Sequence, residues 1–244
     1  MKKSHELLLV VVAKAPQPAK VKTRLTPELT PDEASNLYRC FIRDRIREIS
    51  LLKDIDLAIA YTPPESKDFF ARFLSNGFRL FPQRGQDLGQ RLHNIFVDQL
   101  QQGYKAVAII DSDTPDLPRA IVRQSFQLLG SDGVDAVFGP CHDGGYYLVG
   151  MQQPHPELFQ NIVWSTATVL QDTLGIAEKS GIRAKLLKQW NDLDTFEDLL
   201  AYYHKHKNKL SDHNWTGCET FNYLCRLKSI RPHHSNIGGD KNAN

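Results

Sequence analysis

Two aspartates follow a short, strongly apolar segment near the middle of the chain. Asp111 and Asp113 come directly after Ala106–Ile110 (AVAII), a segment typical of a buried β-strand. Carboxylates two residues apart lie on one face of an extended chain, roughly 6.5 Å apart along it. Such a pair can bind Mg²⁺ or Mn²⁺ against the phosphates of a nucleotide, although one aspartate could instead cap the following turn. A phosphatase with a nucleophilic first aspartate is disfavoured, because Pro115 replaces the Thr or Val of its DxDx[TV] motif.

A basic segment follows the first apolar run of the chain. Residues 14–25 (KAPQPAKVKTRL) contain no acidic residue and four cations, which are Lys14, Lys20, Lys22 and Arg24. Cations that follow a buried strand suit the oxygens of a di- or triphosphate, and an arginine can bind two of these oxygens at once. The alternative is a solvated basic loop without a ligand. Neither GxxxxGK[ST] nor GxGxxG follows this strand, so the segment is not a P-loop.

Two later loops carry further aspartates. Asp143, Gly144 and Gly145 predict a tight turn where the backbone can approach a ligand closely, although a hairpin turn requires no function. Asp192 and Asp194 follow the last predicted strand. One of these two carboxylates could complete a metal site, and Asp194 could equally serve the start of the next helix.

A polar loop leads into the helix predicted at 88–102. It contains Gly85, Asp87 and Gly89 within the sequence GQDLGQR. Such a loop could read the edge of a nucleobase, or it could only cap the helix.

These candidate loops connect short apolar segments, which predict strands, with longer amphipathic segments, which predict helices. Thr30 with Glu33 and Thr195 with Asp198 have the spacing of a capping box and mark two helix starts. Alternation of strands and helices implies an α/β fold, a three-layer α/β/α sandwich around a mostly parallel sheet. Ligands of such sheets bind beyond the carboxyl ends of the strands, where the candidate loops lie. The predicted strands are 7–13, 56–61, 79–81, 106–110, 134–138, 146–151 and 184–187, and the predicted helices are 31–52, 65–75, 88–102, 118–130, 166–180 and 195–206.

The composition is that of an ordinary soluble protein. The chain has 244 residues, 41% of them hydrophobic and 24% charged, with a formal net charge of +2, which excludes wholesale disorder and argues against a nucleic-acid partner. No segment approaches the roughly 20 apolar residues that cross a bilayer, so no membrane partner is expected. None of the four cysteines forms a CxxC pair, which favours reduced thiols and a cytoplasmic location.

The periodic pattern weakens towards the end of the chain. Residues 1–207 are predicted to form the main domain, and residues 208–244 a C-terminal extension. The sequence of 232–244 (PHHSNIGGDKNAN) predicts a disordered tail. Within the helix predicted at 31–52, Arg43, Arg45 and Arg47 alternate with acidic residues, which is typical of a solvated face.

Six motifs together resemble a known family. They occur in order between about residues 7 and 203: KAPxPxxVKTRL, QxxxDLGxRL, DSDTPDLP, GPxxDGGYYLVG, Trp164-Ser165-Thr166 and DLDTxxDL. The chain resembles the bacterial family of largely uncharacterised GT-A-type glycosyltransferases, which is related to MobA-like nucleotidyltransferases and to archaeal phospholactate guanylyltransferase. The resemblance implies the Rossmann-like nucleotide-diphospho-sugar transferase fold. It also implies that Asp111 and Asp113 are the metal-binding DxD pair and that the KTRL segment faces phosphates.

One residue departs from the family pattern. Ala19 stands in the basic segment where the family usually has glycine. If the position requires a positive φ or a close approach of the backbone, alanine costs roughly 1 kcal/mol or more and weakens binding.

The sequence thus predicts a metal-dependent glycosyltransferase that moves a sugar from a nucleotide-diphospho-sugar to a small-molecule acceptor. Mg²⁺ or Mn²⁺ is the expected cofactor. The alternatives are a nucleotidyltransferase that joins a nucleoside triphosphate to a phosphorylated acceptor, and a non-catalytic nucleotide-binding protein. The base, sugar, acceptor and oligomeric state stay open. The expected roles are metal binding for Asp111, Asp113 and Asp194, phosphate or nucleoside binding for Lys14, Lys20, Lys22, Arg24, Gly85, Asp87 and Gly89, and catalysis for Asp143 (acceptor contact or general base) and Lys22.

Overall fold

A single seven-stranded sheet organises the protein. The computed structural model describes residues 4–74, 77–209 and 215–230. The strand order is β3-β2-β1-β4-β6-β5-β7, and β6 runs antiparallel to both of its neighbours, whereas all other pairs are parallel. This arrangement confirms the predicted α/β fold with a mostly parallel sheet. The strands are β1 (Leu7–Lys14), β2 (Asp56–Thr62), β3 (Phe78–Pro82), β4 (Ala106–Ile110), β5 (Ala136–Pro140), β6 (Tyr146–Met151) and β7 (Ala184–Leu186).

Helices cover both faces of the sheet and produce the three layers. One core contains Leu9 and Val11 of β1 together with residues of α1, α2, α4, α6 and α7. The other contains Leu8 and Val10 with residues of α3 and α5. Successive side chains of a strand point to opposite faces, so a strand buried on both sides must be apolar throughout. The helices are α1 (Pro31–Ile49), α2 (Lys67–Phe73), α3 (Leu88–Gln101), α4 (Arg119–Leu129), α5 (Val169–Lys179), α6 (Phe196–His206) and α7 (Cys218–Leu224).

Both predicted capping boxes are confirmed. The Thr30 hydroxyl accepts from the backbone N–H of Glu33 at 3.2 Å, and the Glu33 carboxylate accepts from the Thr30 backbone N–H at 2.9 Å. Thr195 and Asp198 form the same reciprocal pair at the start of α6. These bonds satisfy backbone donors that an α-helix leaves without partners, and they fix where α1 and α6 begin.

Three elements begin two or three residues later than predicted. The helix predicted from 65 begins as a 3₁₀ turn and becomes α2 only at Lys67; residue 75, its predicted end, lies outside the described residues. β5 begins two residues later than predicted, at Ala136. α5 begins at Val169 instead of residue 166, because the Thr166 hydroxyl donates to the Val163 carbonyl and so stabilises a separate turn.

An element that the sequence did not predict covers part of α1. Helix α7 packs on the same core as α1, and its first backbone N–H groups donate to the Asp44 carboxylate, from Glu219 at 3.0 Å and from Thr220 at 2.8 Å. Glu48 accepts from the Thr216 hydroxyl at 2.8 Å. The predicted solvated face is therefore wrong at Asp44 and Glu48, which are buried. The predicted tail at 232–244 lies outside the described residues, and no helix within the described ranges is long and apolar enough to span a membrane.

Candidate active site

A small basic cavity lies at the carboxyl edge of the sheet. It has a volume of about 240 Å³, and the segment that follows β1 forms much of its wall. The structure here brings together residues from opposite ends of the chain, as the sequence predicted. Among the residues that line the cavity are Lys14, Lys20, Lys22, Arg24, Tyr38, Asp113 and Asp194.

Lys22 occupies the centre of an ion-pair cluster. Its Nζ lies 2.7 Å from an oxygen of Asp113, 2.7 Å from an oxygen of Asp194 and 2.9 Å from the Leu193 carbonyl oxygen. Burial by itself would lower the pKa of Lys22, but the two carboxylates outweigh burial and raise it above its ordinary value. Nζ donates hydrogen bonds to Asp194 and to the Leu193 carbonyl, whereas its contact with Asp113 is an ion pair. Lys22 thus neutralises the two aspartates in this arrangement.

The ion pair with Lys22 bears on the two roles that the sequence left open for Asp194, in a ligand site or at the start of a helix. Burial alone would raise the pKa of the Asp194 carboxyl, whereas the Lys22 ammonium lowers it below its ordinary value. Arg24 lies 3.5 Å from the second oxygen of Asp194. The Asp194 carboxylate therefore lines the basic cavity. The side chain that caps α6 is that of Thr195, not that of Asp194.

The basic segment contains two residues in the left-handed backbone region. Ala19 has φ +59° and Lys22 has φ +49°. Residues that have a Cβ atom adopt this backbone region at a cost of roughly 1–2 kcal/mol. Ala19 therefore stands at a position that favours glycine. A positive φ was one of the two conditions under which alanine in place of the family's glycine is expected to weaken binding.

Replacing Ala19 by glycine is expected to stabilise the protein. The change removes the strained Cβ, and we expect the free energy of unfolding to rise by about 1 kcal/mol, or the melting temperature by about 2–4 °C. Thermal unfolding measures the effect. Ala120→Gly, on the exposed face of α4, is the matched control and should lose about 1 kcal/mol. A loss of stability in both variants would contradict strain at Ala19.

A second, larger cavity adjoins the first. It measures about 460 Å³ and shares Arg24, Asp113 and Asp194 with the basic cavity. Its remaining wall combines two aromatic rings with polar and small apolar groups and comes from the loop before α5, the hairpin between β5 and β6, and the start of α3. These residues are Leu88, Asp143, Gly145, Tyr146, Trp164, Ser165, Thr166, Ala167 and Val169.

Asp143 is held by its own turn at the edge of the larger cavity. Its carboxylate accepts from the Gly145 backbone N–H at 2.8 Å. One ligand-type atom each of Cys141, Asp143 and Asp192 lies within 4.8 Å of the other two. Burial raises the pKa of the Cys141 thiol, so the sulfur stays protonated beside the carboxylates. The hairpin turn predicted from the glycines thus also places an aspartate at the candidate site.

Two further carboxyls of the site form no ion pair within the described residues. Burial, and then repulsion from Asp113, raise the pKa of Asp111 to about 7. Burial, and then repulsion from Asp143 and Asp194, raise the pKa of Asp192 to about 7. The ion pairs of this site, within the described residues, all involve Asp113 or Asp194. The excess of negative charge therefore lies on the side of Asp111, Asp143 and Asp192.

Asp111 also has a structural contact. One oxygen accepts from the Thr114 hydroxyl at 2.7 Å and from the Asp113 backbone N–H at 3.2 Å, which is the turn cap that the sequence left as an alternative. Arg45 is fully buried beneath this loop, donating to Thr114 at 3.0 Å and to the Leu117 carbonyl at 2.8 Å. The predicted solvated face of α1 is therefore wrong at Arg45 as well.

The loop at 85–89 contacts the site only indirectly. The Asp87 carboxylate accepts from the Gln90 backbone N–H at 2.8 Å and caps α3. A Cβ on Gly89 would lie 2.9 Å from the Trp164 ring, so glycine is required for this contact. Leu88 lines the larger cavity, but Gly85, Asp87 and Gly89 line neither of the two. Their part in nucleoside binding stays a prediction.

Sequence reasoning missed two aromatic residues of the site. Tyr38 lines the basic cavity from α1, and its hydroxyl lies 2.6 Å from the Ser112 hydroxyl in the DSD turn. Tyr146 lines the larger cavity with a buried hydroxyl that has no hydrogen-bond partner among the described residues. Because successive side chains of a strand point to opposite faces, the sequence could have indicated that Tyr146 and Tyr147 lie on different sides of the sheet. Nothing in the sequence indicated that α1 contributes Tyr38.

The donor set fits a hard divalent cation. Carboxylate oxygens are the ligands that Mg²⁺ and Mn²⁺ prefer, and five aspartates supply them at this site, namely Asp111, Asp113, Asp143, Asp192 and Asp194. A protonated thiol is a poor ligand for either ion, which leaves Cys141 out of such a set.

Comparison with known proteins identifies relatives at the level of sequence and fold. The model of a family described as uncharacterized proteins conserved in bacteria (DUF2064) matches residues 45–166, half of the chain. A candidate nucleotide-diphospho-sugar transferase of Desulfovibrio desulfuricans G20 is 32% identical, with a TM-score of 0.84 over 94% of this chain and 99% of that one. No curated protein matches.

More distant structures share the fold. CMP:2-keto-3-deoxy-manno-octonic acid synthetase in complex with CTP is 12% identical, with a TM-score of 0.53 over 85% of this chain and 100% of that chain. The 4-diphosphocytidyl-2C-methyl-D-erythritol synthase of Anaerococcus prevotii DSM 20548 is 10% identical, with the same score over 82% and 99%. These similarities confirm the nucleotide-diphospho-sugar transferase fold.

Proposed function

The chain belongs to the bacterial DUF2064 family, and from this premise we propose that it is a glycosyltransferase that moves a sugar from a nucleotide-diphospho-sugar to an acceptor hydroxyl. The relative from Desulfovibrio desulfuricans, which is described as a candidate nucleotide-diphospho-sugar transferase, supports this choice. The broader assignment, that the chain is a transferase of some kind, is also consistent with the fold that it shares with the structures described above.

The joined cavities are the observation that carries the proposal. The smaller cavity is basic, the larger contains Tyr146, Trp164 and Asp143, and the two share Arg24, Asp113 and Asp194. A transferase must hold the donor and the acceptor on either side of the bond that is exchanged. We assign the diphosphate to the basic cavity and the acceptor to the larger one, with the reacting bond near the shared residues.

The exposed cations are assigned to the leaving diphosphate. Lys14, Lys20 and Arg24 line the basic cavity with exposed side chains, and positive charge there stabilises the negative charge that develops on the leaving group. Lys22 has a different part in this proposal. By neutralising Asp113 and Asp194 it keeps two carboxylates next to a phosphate site that they would otherwise repel.

The acceptor is assigned to Asp143. Its carboxylate lines the larger cavity, and the hydrogen bond from Gly145 fixes its orientation. A carboxylate in that position can accept the proton of an attacking hydroxyl.

Mg²⁺ or Mn²⁺ is the proposed cofactor. The site's aspartates would hold the ion, and we place Asp192 first among them because Lys22 already neutralises Asp113 and Asp194 and because Asp143 is assigned to the acceptor. When bound, the ion supplies further charge neutralisation for the diphosphate.

Nucleotidyl transfer is the second candidate. Three exposed cations around a cavity of only about 240 Å³ suit a triphosphate at least as well as a diphosphate. In that reaction a phosphorylated acceptor would attack the nucleoside triphosphate and release pyrophosphate.

Product analysis separates the two reactions. With Mg²⁺ present, glycosyl transfer releases a nucleoside diphosphate from a nucleotide-diphospho-sugar, whereas nucleotidyl transfer releases pyrophosphate only when a phosphorylated acceptor is added. Lys20→Met should reduce either activity at least tenfold, while Lys67→Met, an exposed lysine on α2 away from both cavities, should leave it unchanged. Nucleotide binding without any product would contradict both candidates and favour a non-catalytic binding protein.

A further inference from the structure

A third cavity, of about 700 Å³, lies beside the loop that follows β4 and shares no lining residue with the two cavities of the candidate active site. Residues of α1, α4, α6 and the segment 215–216 contribute to its wall. Its most conspicuous groups are four cations and two indoles, from Arg47, Arg119, Lys205, Lys209, Trp190 and Trp215.

Positive charge exceeds negative charge in this cavity. Two carboxylates line it, and protein donors already satisfy both. Asp116 accepts from Trp190 Nε1 at 2.8 Å, Lys205 Nζ at 2.9 Å and His206 Nε2 at 3.1 Å. Glu48 accepts from the Arg119 backbone N–H at 2.9 Å, among others. Among the described residues, four cations and two carboxylates line the cavity, and Arg47 also pairs with the buried Asp44 at 3.1 Å, which leaves an excess of one positive charge.

Two buried nitrogen atoms in the same wall have no partner among the described residues. They are Nδ1 of His206, a residue that is 5% exposed, and Nε1 of Trp215. The two rings stack with their centroids 4.4 Å apart. The indole N–H can only donate, and a buried donor without an acceptor is unfavourable. This part of the wall is therefore short of a hydrogen-bond acceptor among the described residues.

From these observations we infer that the third cavity binds a small anion that carries a phosphate group. A phosphate group supplies negative charge for this positive lining, and its oxygens are acceptors, which the aromatic part of the wall lacks. The exposed cations Arg119 and Lys209 can donate to the same oxygens. Because the cavity is separate from the active site, this inference does not depend on the proposed function.

The tryptophans provide a direct readout. The chain has three, and two of them, Trp190 and Trp215, line this cavity, whereas Trp164 lines the larger cavity of the active site. In a full-length Trp164→Phe protein, titration with inorganic phosphate is expected to change the tryptophan fluorescence to saturation. Adding Lys209→Gln, which removes an exposed cation of the lining, should weaken the phosphate Kd at least tenfold. Lys205→Gln is the second test of the same kind.

Two control variants separate this site from other phosphate contacts. Lys20→Gln removes a cation of the basic cavity, and Lys179→Gln removes an exposed lysine of α5 that lines neither site. Both should leave the phosphate Kd within twofold. A titration without saturation would overturn the inference. So would a Kd that Lys209→Gln and Lys205→Gln leave unchanged, or one that Lys20→Gln weakens as strongly as they do.

Discussion

Lys22→Met is expected to impair both stability and ligand binding. The change removes the only charge that pairs with Asp113 within the described residues and leaves Asp194 with the distant Arg24. Breaking a buried ion pair costs roughly 3–5 kcal/mol, and because both aspartates are about one-third exposed we expect the free energy of unfolding to fall by about 2 kcal/mol. The freed carboxylates would also repel phosphates, so nucleotide affinity should fall at least tenfold.

The matched control is Lys20→Met. Lys20 lines the same cavity but is exposed, so its loss should weaken nucleotide binding while changing stability by no more than about 0.5 kcal/mol. Denaturant unfolding and nucleotide titration of both variants measure the two effects. If Lys22→Met retained full stability and lost only affinity, Lys22 would act on phosphate directly, as the sequence alone suggested, and the central ion pair would carry no structural weight.

Much of the fold can be predicted from local sequence. AVAII predicts a strand buried on both faces, and all five residues of β4 are buried. The threonine–acid spacings at 30–33 and 195–198 predict two helix starts that the structure confirms to the residue. These features depend on neighbours in the chain, and local propensity and tertiary packing agree there.

Arg45 shows why charge alone misjudges exposure. It follows Leu37 and Phe41 at intervals of four, so it lies on the buried face of α1, and the structure gives it no exposed surface. Its charge nevertheless predicted a solvated position. Its partners, Thr114 and Leu117, belong to a loop some 70 residues away, which no periodicity in α1 encodes.

The residues that form the candidate active site were easier to predict than the ion pairs among them. Carboxyl ends of neighbouring strands meet at one edge, so Lys22, Asp113 and Asp194 could be expected near one another. That Lys22 pairs with Asp194, 172 positions away, depends on how the two loops pack. Asp192 lies two residues before Asp194; either carboxylate could complete a metal site, and the sequence-based prediction named Asp194.

The identity of the metal ligands leads to a second prediction with a large expected effect. Asp192→Asn should remove most of the stabilisation that Mg²⁺ or Mn²⁺ gives the nucleotide-free protein, whereas Asp113→Asn should retain it. Lys22 already neutralises Asp113. Asp192 instead lies beside Asp143, which repels the charge of the Asp192 carboxylate. An ion at 100 times its Kd stabilises a protein by about 2.7 kcal/mol. We expect less than a third of this in Asp192→Asn.

Melting temperatures at pH 8, with and without the ion, measure the difference, and at that pH the Asp192 carboxyl is ionised because its pKa is about 7. Without metal, Asp192→Asn should melt slightly higher than the unmodified protein, since the amide removes a repelled, partly buried charge. The reverse pattern, in which Asp113→Asn loses the metal effect and Asp192→Asn keeps it, would mean that the ion displaces the Lys22 ammonium and binds between Asp113 and Asp194. That outcome would return the metal to residues predicted from the sequence and make the Lys22 ion pair a feature of the metal-free protein alone.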